Sequence, residues 1–310
     1  MAYNMTYSKE ELKDGIRRMC EEKNAVVLAH YYTEADVQDV ADFVGDSLAL
    51  AQWASKTDAD IIVMCGVNFM GETCKILCPE KKVLVPDTAA GCSLADSCQA
   101  QALKDFISQH PGYKVISYVN TTAAVKALSD VVVTSSNARK IVDSYPEDAH
   151  LIFGPDKNLG AYINKVTRRN MLLWQGGCHV HSGFSLEEVI RLKELHPEAR
   201  VLVHPECPKE IQDEADVVGS TADLLKFSIQ SDATEFIVAT EQGVIHKMKE
   251  ASQAKQFYPV GSVCDYMRMN TLEKVFLALR DEKPEMIVDS CLAAQAIKPI
   301  NKMLALSSQK

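Results

Sequence analysis

Lys114-Val115-Ile116-Ser117-Tyr118-Val119-Asn120 is a short apolar run that closes on polar side chains, and the chain holds two more like it. Val26-Val27-Leu28-Ala29-His30-Tyr31-Tyr32 precedes it and Val201-Leu202-Val203-His204-Pro205-Glu206 follows. Their ends correspond as Tyr118/Asn120, His30/Tyr32 and His204/Glu206. Runs of this length rich in β-branched residues predict strands, and recurrence at a near-constant period signals a repeated folding unit.

Outward from each run the same order recurs. A helical stretch follows, then a second short strand that enters a hydroxyl pair or its equivalent: Gly45-Asp46-Ser47, Thr134-Ser135-Ser136 and Gly219-Ser220-Thr221. The spacing from His30 to Ser47, from Tyr118 to Ser135 and from His204 to Thr221 is 17 residues each time. A third strand (Asp60 to Met64, His150 to Phe153, Glu235 to Ala239), a helix and a fourth strand complete each unit. The fourth strand is expected to end in Cys92, Cys178 or Cys264, which stand 62, 60 and 60 residues beyond His30, Tyr118 and His204.

Strands alternating with helices at this spacing predict parallel sheets covered on both faces, because a parallel pair needs a crossover and the crossover is usually a helix. The expected fold class is therefore α/β: three similar three-layer αβα units, each with a four-stranded parallel sheet, in pseudo-threefold arrangement around a central cavity. The units are expected at residues 1–98, 99–184 and 185–310. The last carries a tail over 271–310, with a helix from Thr271 to Asp281, a strand-like Met286-Ile287-Val288 and a helical end, which closes the third unit or reaches back to the first. Ligands of such sheets bind beyond the carboxyl ends of the strands, where all the recurring polar residues fall.

Composition narrows the partner. The 310 residues are 47% hydrophobic, enough for a sizeable core, and the formal charge of -9 comes from 42 acidic and 33 basic side chains mixed along the chain. No basic footprint for nucleic acid is visible, so the expected ligand is a small molecule. No apolar run approaches the ~20 residues that span a bilayer. Met1-Ala2-Tyr3-Asn4 leads into the capping-box pattern Ser8-Lys9-Glu10-Glu11 without a basic and apolar leader, so a cytoplasmic protein with no membrane partner is expected.

Ten cysteines in a reducing compartment are core side chains, ligands or nucleophiles rather than a disulfide framework. Cys92, Cys178 and Cys264 recur in register and follow Ala90-Gly91, Gly176-Gly177 and Gly261-Ser262-Val263, loops where packing is a poor reason for a thiol. Cys20, Cys65, Cys74, Cys78, Cys98, Cys207 and Cys291 have no such counterparts and are read as structural. Three thiolates suit zinc or an iron-sulfur cluster. Three rather than four would leave one iron of a cubane open as a Lewis acid. His179 and His181 flank Cys178, as a fourth ligand or facing substrate. The hydroxyls Ser47, Ser135, Ser136, Ser220 and Thr221 open helices, where each alone is an N-cap and three sets in register would hold carboxylates or a phosphate. His30, Tyr32, Tyr118, Asn120, His204 and Glu206 supply acid, base and hydrogen-bond donors for proton transfer. A zinc hydrolase or lyase using the same cysteines, and a sensor that binds a small acid without turnover, are the rival readings.

Ala29-His30-Tyr31-Tyr32, Gly45-Asp46-Ser47-Leu48, Gly66-Val67-Asn68-Phe69-Met70-Gly71-Glu72-Thr73, Pro86-Asp87, Ala90-Gly91-Cys92-Ser93, Tyr118-Val119-Asn120, Thr134-Ser135-Ser136-Asn137-Ala138, Gly177-Cys178-His179-Val180-His181, His204-Pro205-Glu206-Cys207 and the stretch from Cys264 to Leu272 together resemble the quinolinate synthase family of NAD biosynthesis. The resemblance runs along nearly the whole chain. It implies one 4Fe-4S cluster per chain, held by Cys92, Cys178 and Cys264 from three similar domains. It also implies condensation of iminoaspartate with dihydroxyacetone phosphate to quinolinate, phosphate and two waters, with iminoaspartate supplied by an aspartate oxidase or dehydrogenase. Carried over by motif, Glu206, His204, Tyr32 and Tyr118 would be catalytic, and His30, Ser47, Asn120, Ser135, His181 and Thr221 would bind substrate. The chain departs from the pattern at Tyr31, where many relatives have Asn. It also lacks cysteines over Pro259 to Val263, so no disulfide switch is expected there.

Overall fold

The computed structural model describes residues 7–261 and 263–308. Met1 to Asn4, where no leader is expected, and Ser262 ahead of Cys264 lie outside the described residues. Three four-stranded sheets carry the fold. The first holds β1 (Ala25–His30), β2 (Phe43–Gly45), β3 (Ile61–Cys65) and β4 (Lys82–Leu84); the second β5 (Lys114–Tyr118), β6 (Val131–Val133), β7 (Leu151–Gly154) and β8 (Leu172–Leu173); the third β9 (Arg200–Val203), β10 (Val217–Val218), β11 (Glu235–Ala239) and β12 (Gln256–Pro259). Strand order is the same in each, β2-β1-β3-β4, β6-β5-β7-β8 and β10-β9-β11-β12. Every pairing in them is parallel. The α/β reading in three similar units stands.

Register is fixed alike in the three sheets. An aspartate immediately before the second strand accepts the N–H of the first: Asp42 Oδ2 from Val27 at 2.7 Å, Asp130 Oδ2 from Val115 at 2.8 Å and Asp216 Oδ2 from Val201 at 2.8 Å. The edge strand is thereby locked so that Gly45 pairs with His30, Val133 with Tyr118 and Val218 with Val203. A one-residue slip would turn every side chain to the opposite face, so this lock decides which side chains end at the sheet's carboxyl edge.

The fourth strands stop short of the cysteines. β4, β8 and β12 end at Leu84, Leu173 and Pro259, and a loop carries the chain on to Cys92, Cys178 and Cys264, each of which precedes a four-residue helix (Ser93–Asp96, His179–Ser182, Asp265–Arg268). A thiol on a strand would be pinned to one sheet face; one on a loop can turn across the sheet edge.

The tail returns to the first two units. Its helix Leu272–Asp281, capped by Thr271, lies against the N-terminal helix Lys9–Lys23. The approach is close because residue 15 is glycine: a Cβ there would stand 2.5 Å from the Phe276 ring. Met286 to Val288 is not a strand. A single antiparallel bridge joins Glu285 to Leu84, flanked by the Val85 N–H donating to Pro284 O at 3.1 Å and the Met286 N–H to Val83 O at 2.8 Å, and the pairing goes no further. The closing helix Ser290–Ser308 packs on β6 and the helix Asn68–Leu77, and Asn137 donates to Ser307 Oγ at 2.9 Å. One continuous core then joins the first sheet, the second and this helix, while smaller clusters fill both faces of the third.

Candidate active site

The carboxyl ends of β1, β5 and β9 open onto one cavity. His30, Tyr32, Ser47, Cys92, Tyr118, Asn120, Ser135, Cys178, His181, His204, Glu206, Thr221 and Cys264 all line it, whereas Ser136 and Ser220 do not. The first strands deliver their last residues here because an interior position in a sheet buries the strand along its length; in β1, β5 and β9 all residues but one near the start are buried.

Glu206 is the centre of the polar network. It is 3% exposed. Tyr118 donates its hydroxyl to Oε1 at 2.7 Å, and His181 Nδ1 stands 3.2 Å from Oε2. Burial alone would raise its pKa, but the adjoining His181, then His204 and the Tyr118 hydroxyl, outweigh that and hold it below the usual carboxylate range. His204 behaves differently from the partner expected of it. Its Nδ1 lies 3.8 Å from Glu206 Oε1 and accepts the Glu206 backbone N–H at 3.3 Å, while Nε2 faces Ser135 Oγ at 3.4 Å. Burial lowers its pKa to about 3, so the ring is neutral near pH 7, with Nδ1 occupied and a proton on Nε2. His181, expected as a fourth ligand or facing substrate, is the imidazole nearest the carboxylate, and it also reaches Cys178 Sγ at 3.4 Å and Thr240 Oγ1 at 3.1 Å.

The remaining walls are set by short hydrogen bonds. His30 Nδ1 accepts the backbone N–H of Tyr32 at 3.2 Å, and burial lowers its pKa to about 3. The Tyr32 hydroxyl, raised well above its ordinary pKa by burial, sits between Thr221 Oγ1 at 2.6 Å and Thr240 Oγ1 at 2.9 Å. These bonds join the first unit to the third. Among the hydroxyls, Ser220 caps its helix, whereas Asp46 rather than Ser47 caps the helix Ser47–Ala54, and Asn137 holds the cap position after Ser135 and Ser136. Ser47, Ser135 and Thr221 are therefore released from capping and face the cavity.

The three recurring cysteines are free thiols at the cavity wall. Burial pushes Cys92 up to about 12 and raises Cys178 and Cys264, so in the metal-free protein they are neutral and a bound cation must drive their ionisation. Among the described residues, two sets of His, Cys, Asp or Glu have ligand atoms all within 4.8 Å of one another: Cys178-His181-Glu206 in the cavity and Asp39-His246-Glu250 on the surface. The three cysteines do not form so tight a set. A single ion with bonds of about 2.3 Å to sulfur cannot reach all three from one point without movement, whereas a group containing several metal atoms spans a wider triangle. Of the other seven cysteines, Cys65, Cys74, Cys78, Cys98 and Cys207 are buried, Cys20 is half-buried and Cys291 is exposed, so the structural reading holds in the core and not at Cys291.

Three residues escaped the sequence reading. Thr240 bridges Tyr32 and His181, and Asp156 and Glu241 accept the backbone N–H groups of Cys178 and Cys264 at 3.0 and 3.1 Å. Asp156 and Glu241 both stand just beyond the third strand of their units, a recurrence that was present in the spacing. The chain offers no described helix long and apolar enough to cross a membrane.

A family model described as quinolinate synthetase A protein matches residues 14–305. Curated proteins named quinolinate synthase are similar along the whole length. That of Synechocystis sp. is 51% identical over 304 residues, 96% of each chain. That of Chloroherpeton thalassium is 50% identical over 311 residues, 98% of this chain and 97% of its own, and that of Rippkaea orientalis is 48% identical over 304 residues, 96% and 94%.

Proposed function

The chain belongs to the quinolinate synthetase A family, and we propose that it forms quinolinate for NAD biosynthesis by condensing iminoaspartate with dihydroxyacetone phosphate. The observation that carries this reading is the meeting of Cys92, Cys178 and Cys264 with the Tyr118-Glu206-His181 network in one cavity. Atoms balance: iminoaspartate and dihydroxyacetone phosphate together equal quinolinate, phosphate and two waters, with no net oxidation. The reaction therefore needs acid-base and Lewis-acid help rather than an electron carrier. One 4Fe-4S cluster per chain, held by the three cysteines, would supply a Lewis acid at its unligated iron when bound.

The chain's own residues supply the rest. Glu206, ionised and hydrogen-bonded on both oxygens, takes a proton and returns it, with His181 and Tyr118 as the groups that share it. The neutral His204 holds Glu206 through its backbone N–H and offers its Nε2 proton toward Ser135. Tyr32, braced by Thr221 and Thr240, closes the wall between the first and third units. His30, Ser47, Asn120, Ser135 and Thr221 present donors to the carboxylates and phosphate from the carboxyl ends of all three sheets. Burial of these groups strengthens each interaction by removing competing water.

Cys178-His181-Glu206 favours one second reading, a mononuclear cation such as zinc at that set. The test is iron, acid-labile sulfide and zinc analysis with the visible spectrum on protein purified without oxygen. It is coupled to a quinolinate assay with dihydroxyacetone phosphate and iminoaspartate formed in place by an aspartate oxidase. About four irons and four sulfides per chain, a broad brown absorption and product formation are expected. Stoichiometric zinc, no colour and no quinolinate would retire the reading.

A further inference from the structure

Each cysteine-bearing loop is tied to the segment that leaves the third strand of its own unit. In the second unit Asp156, fully buried, accepts the Cys178 backbone N–H on Oδ2 at 3.0 Å, while Oδ1 caps the helix Lys157–Thr167 through the N–H groups of Asn158 at 2.7 Å and Leu159 at 3.0 Å. In the third unit Glu241, also fully buried, accepts the Cys264 N–H at 3.1 Å and Arg268 Nη2 at 3.2 Å on Oε1, and the Gly243 N–H at 2.6 Å on Oε2. In the first unit Asn68 does the work in reverse: its backbone N–H donates to Ala90 O at 2.8 Å and its side chain to Thr88 O at 3.0 Å. We infer that Asp156, Glu241 and Asn68 are the positioning residues that hold the three cysteine loops at the spacing their shared ligand group requires.

Nothing else in the fold assigns these side chains a role that needs a buried carboxylate twice at the same place. A helix cap alone is met by an exposed Ser or Asp elsewhere in this chain, as Ser185 does for the helix Leu186–Leu195. Fixing the amide of a ligating residue fixes the direction of its Cα–Cβ bond, and partners that orient ligands change metal affinity by about 10–100-fold when removed. The inference rests on the cluster reading above, but the geometry of the loops does not.

The two carboxylates predict opposite outcomes for the same chemical change. An amide side chain has one acceptor oxygen. In Asp156→Asn that oxygen is retained by the two helix N–H groups, which leaves an NH₂ against the Cys178 N–H and frees the loop while the cap survives. In Glu241→Gln the oxygen is retained by Cys264 and Arg268, and the loop stays anchored. The experiment follows two rates in the variants D156N, E241Q, E241A and N68A: iron loss from the holoprotein to a ferrous chelator, and alkylation of Cys92, Cys178 and Cys264 in the metal-free protein, resolved by peptide mass spectrometry. D156N and E241A are expected to lose iron about tenfold faster or more and to alkylate fastest at Cys178 and Cys264 respectively, N68A to alkylate faster at Cys92, and E241Q to match the parent in both. N68A, whose bond is solvent-exposed, keeps the test open if a buried variant fails to fold. Equal rates in D156N, N68A and the parent would overturn the inference, as would D156N and E241Q behaving alike. Absence of iron from the parent would strike the cluster reading and leave the alkylation arm to decide this one.

Discussion

Glu206→Gln tests the proton-transfer chemistry with little change of shape. The carboxylate sits at 3% exposure between Tyr118 at 2.7 Å and His181 at 3.2 Å, and its backbone N–H binds His204. Gln has the same size, and its oxygen can still accept from Tyr118, so the cavity keeps its packing. Its NH₂ stands where Oε2 now faces His181 Nδ1 at 3.2 Å. The fold is therefore expected to lose no more than about 1 kcal/mol, the worth of one rearranged hydrogen bond. Turnover is another matter. A positioned acid-base group contributes about 10²–10⁴ in rate, or about 3–5 kcal/mol of barrier at 1.36 kcal/mol per tenfold. The assay is anaerobic quinolinate formation at saturating dihydroxyacetone phosphate, with iron and sulfide measured on the same sample. The expected result is parent-like iron, parent-like substrate affinity and kcat down at least a hundredfold. Turnover within threefold of the parent, at equal iron, would refute Glu206 as the proton-transfer group and with it the network reading of Tyr118 and His181.

Cys92→Ser is expected to abolish stoichiometric iron, because a hydroxyl is a poor ligand for a soft site, while Cys74→Ser, in the first core and away from the cavity, keeps it; equal iron in both would overturn the repeat argument. For His204, burial lowers the folded pKa to about 3 from 6.5, so the unfolded chain binds the extra proton between those values. The stability this group contributes is complete above pH 6.5 and is lost as pH falls toward 3. His204→Gln should accordingly flatten the acid limb of a urea-unfolding series by up to about 1.4 kcal/mol per pH unit in that window, and an unchanged limb would deny that the ring is buried neutral. Gly15→Ala places a methyl 2.5 Å from the Phe276 ring and should cost about 1–3 kcal/mol by overpacking. A thermal melt shows this, and an unchanged Tm would mean that the tail helix Leu272–Asp281 docks elsewhere.

The repeat was legible because it is written in backbone-local signals. Apolar runs of β-branched residues, a helix between them and a polar closing residue recur with constant offsets, and these indicate parallel sheets and which residues reach the carboxyl edge, while the strand order comes from the structure. The missing parts share one physical property: they are made by groups far apart in the chain whose pairing has no local sequence signal. His181 rather than His204 stands nearest Glu206 because the short helix His179–Ser182 after Cys178, from the second unit, packs into the core of the third. Thr240 is an unremarkable residue after a strand until Tyr32, 208 positions away, lands on it. The fourth strands end earlier than the spacing predicts, and Met286 to Val288 forms no strand, because β-propensity marks pleated, half-buried surface and not the presence of a partner. The tail's partners were likewise set by shape, through Gly15 against Phe276.

The sequence by itself determined three equivalent α/β units, the positions of their polar ends and three cysteines in register, because hydrophobic period and spacing are properties of neighbours along the chain. Only the tertiary structure decided which side chains surround Glu206, which hydroxyls are spent on helix caps and which are free, and what holds each cysteine loop. Those depend on distances of about 3 Å between different units, which the packing of the three sheets, and nothing local, sets.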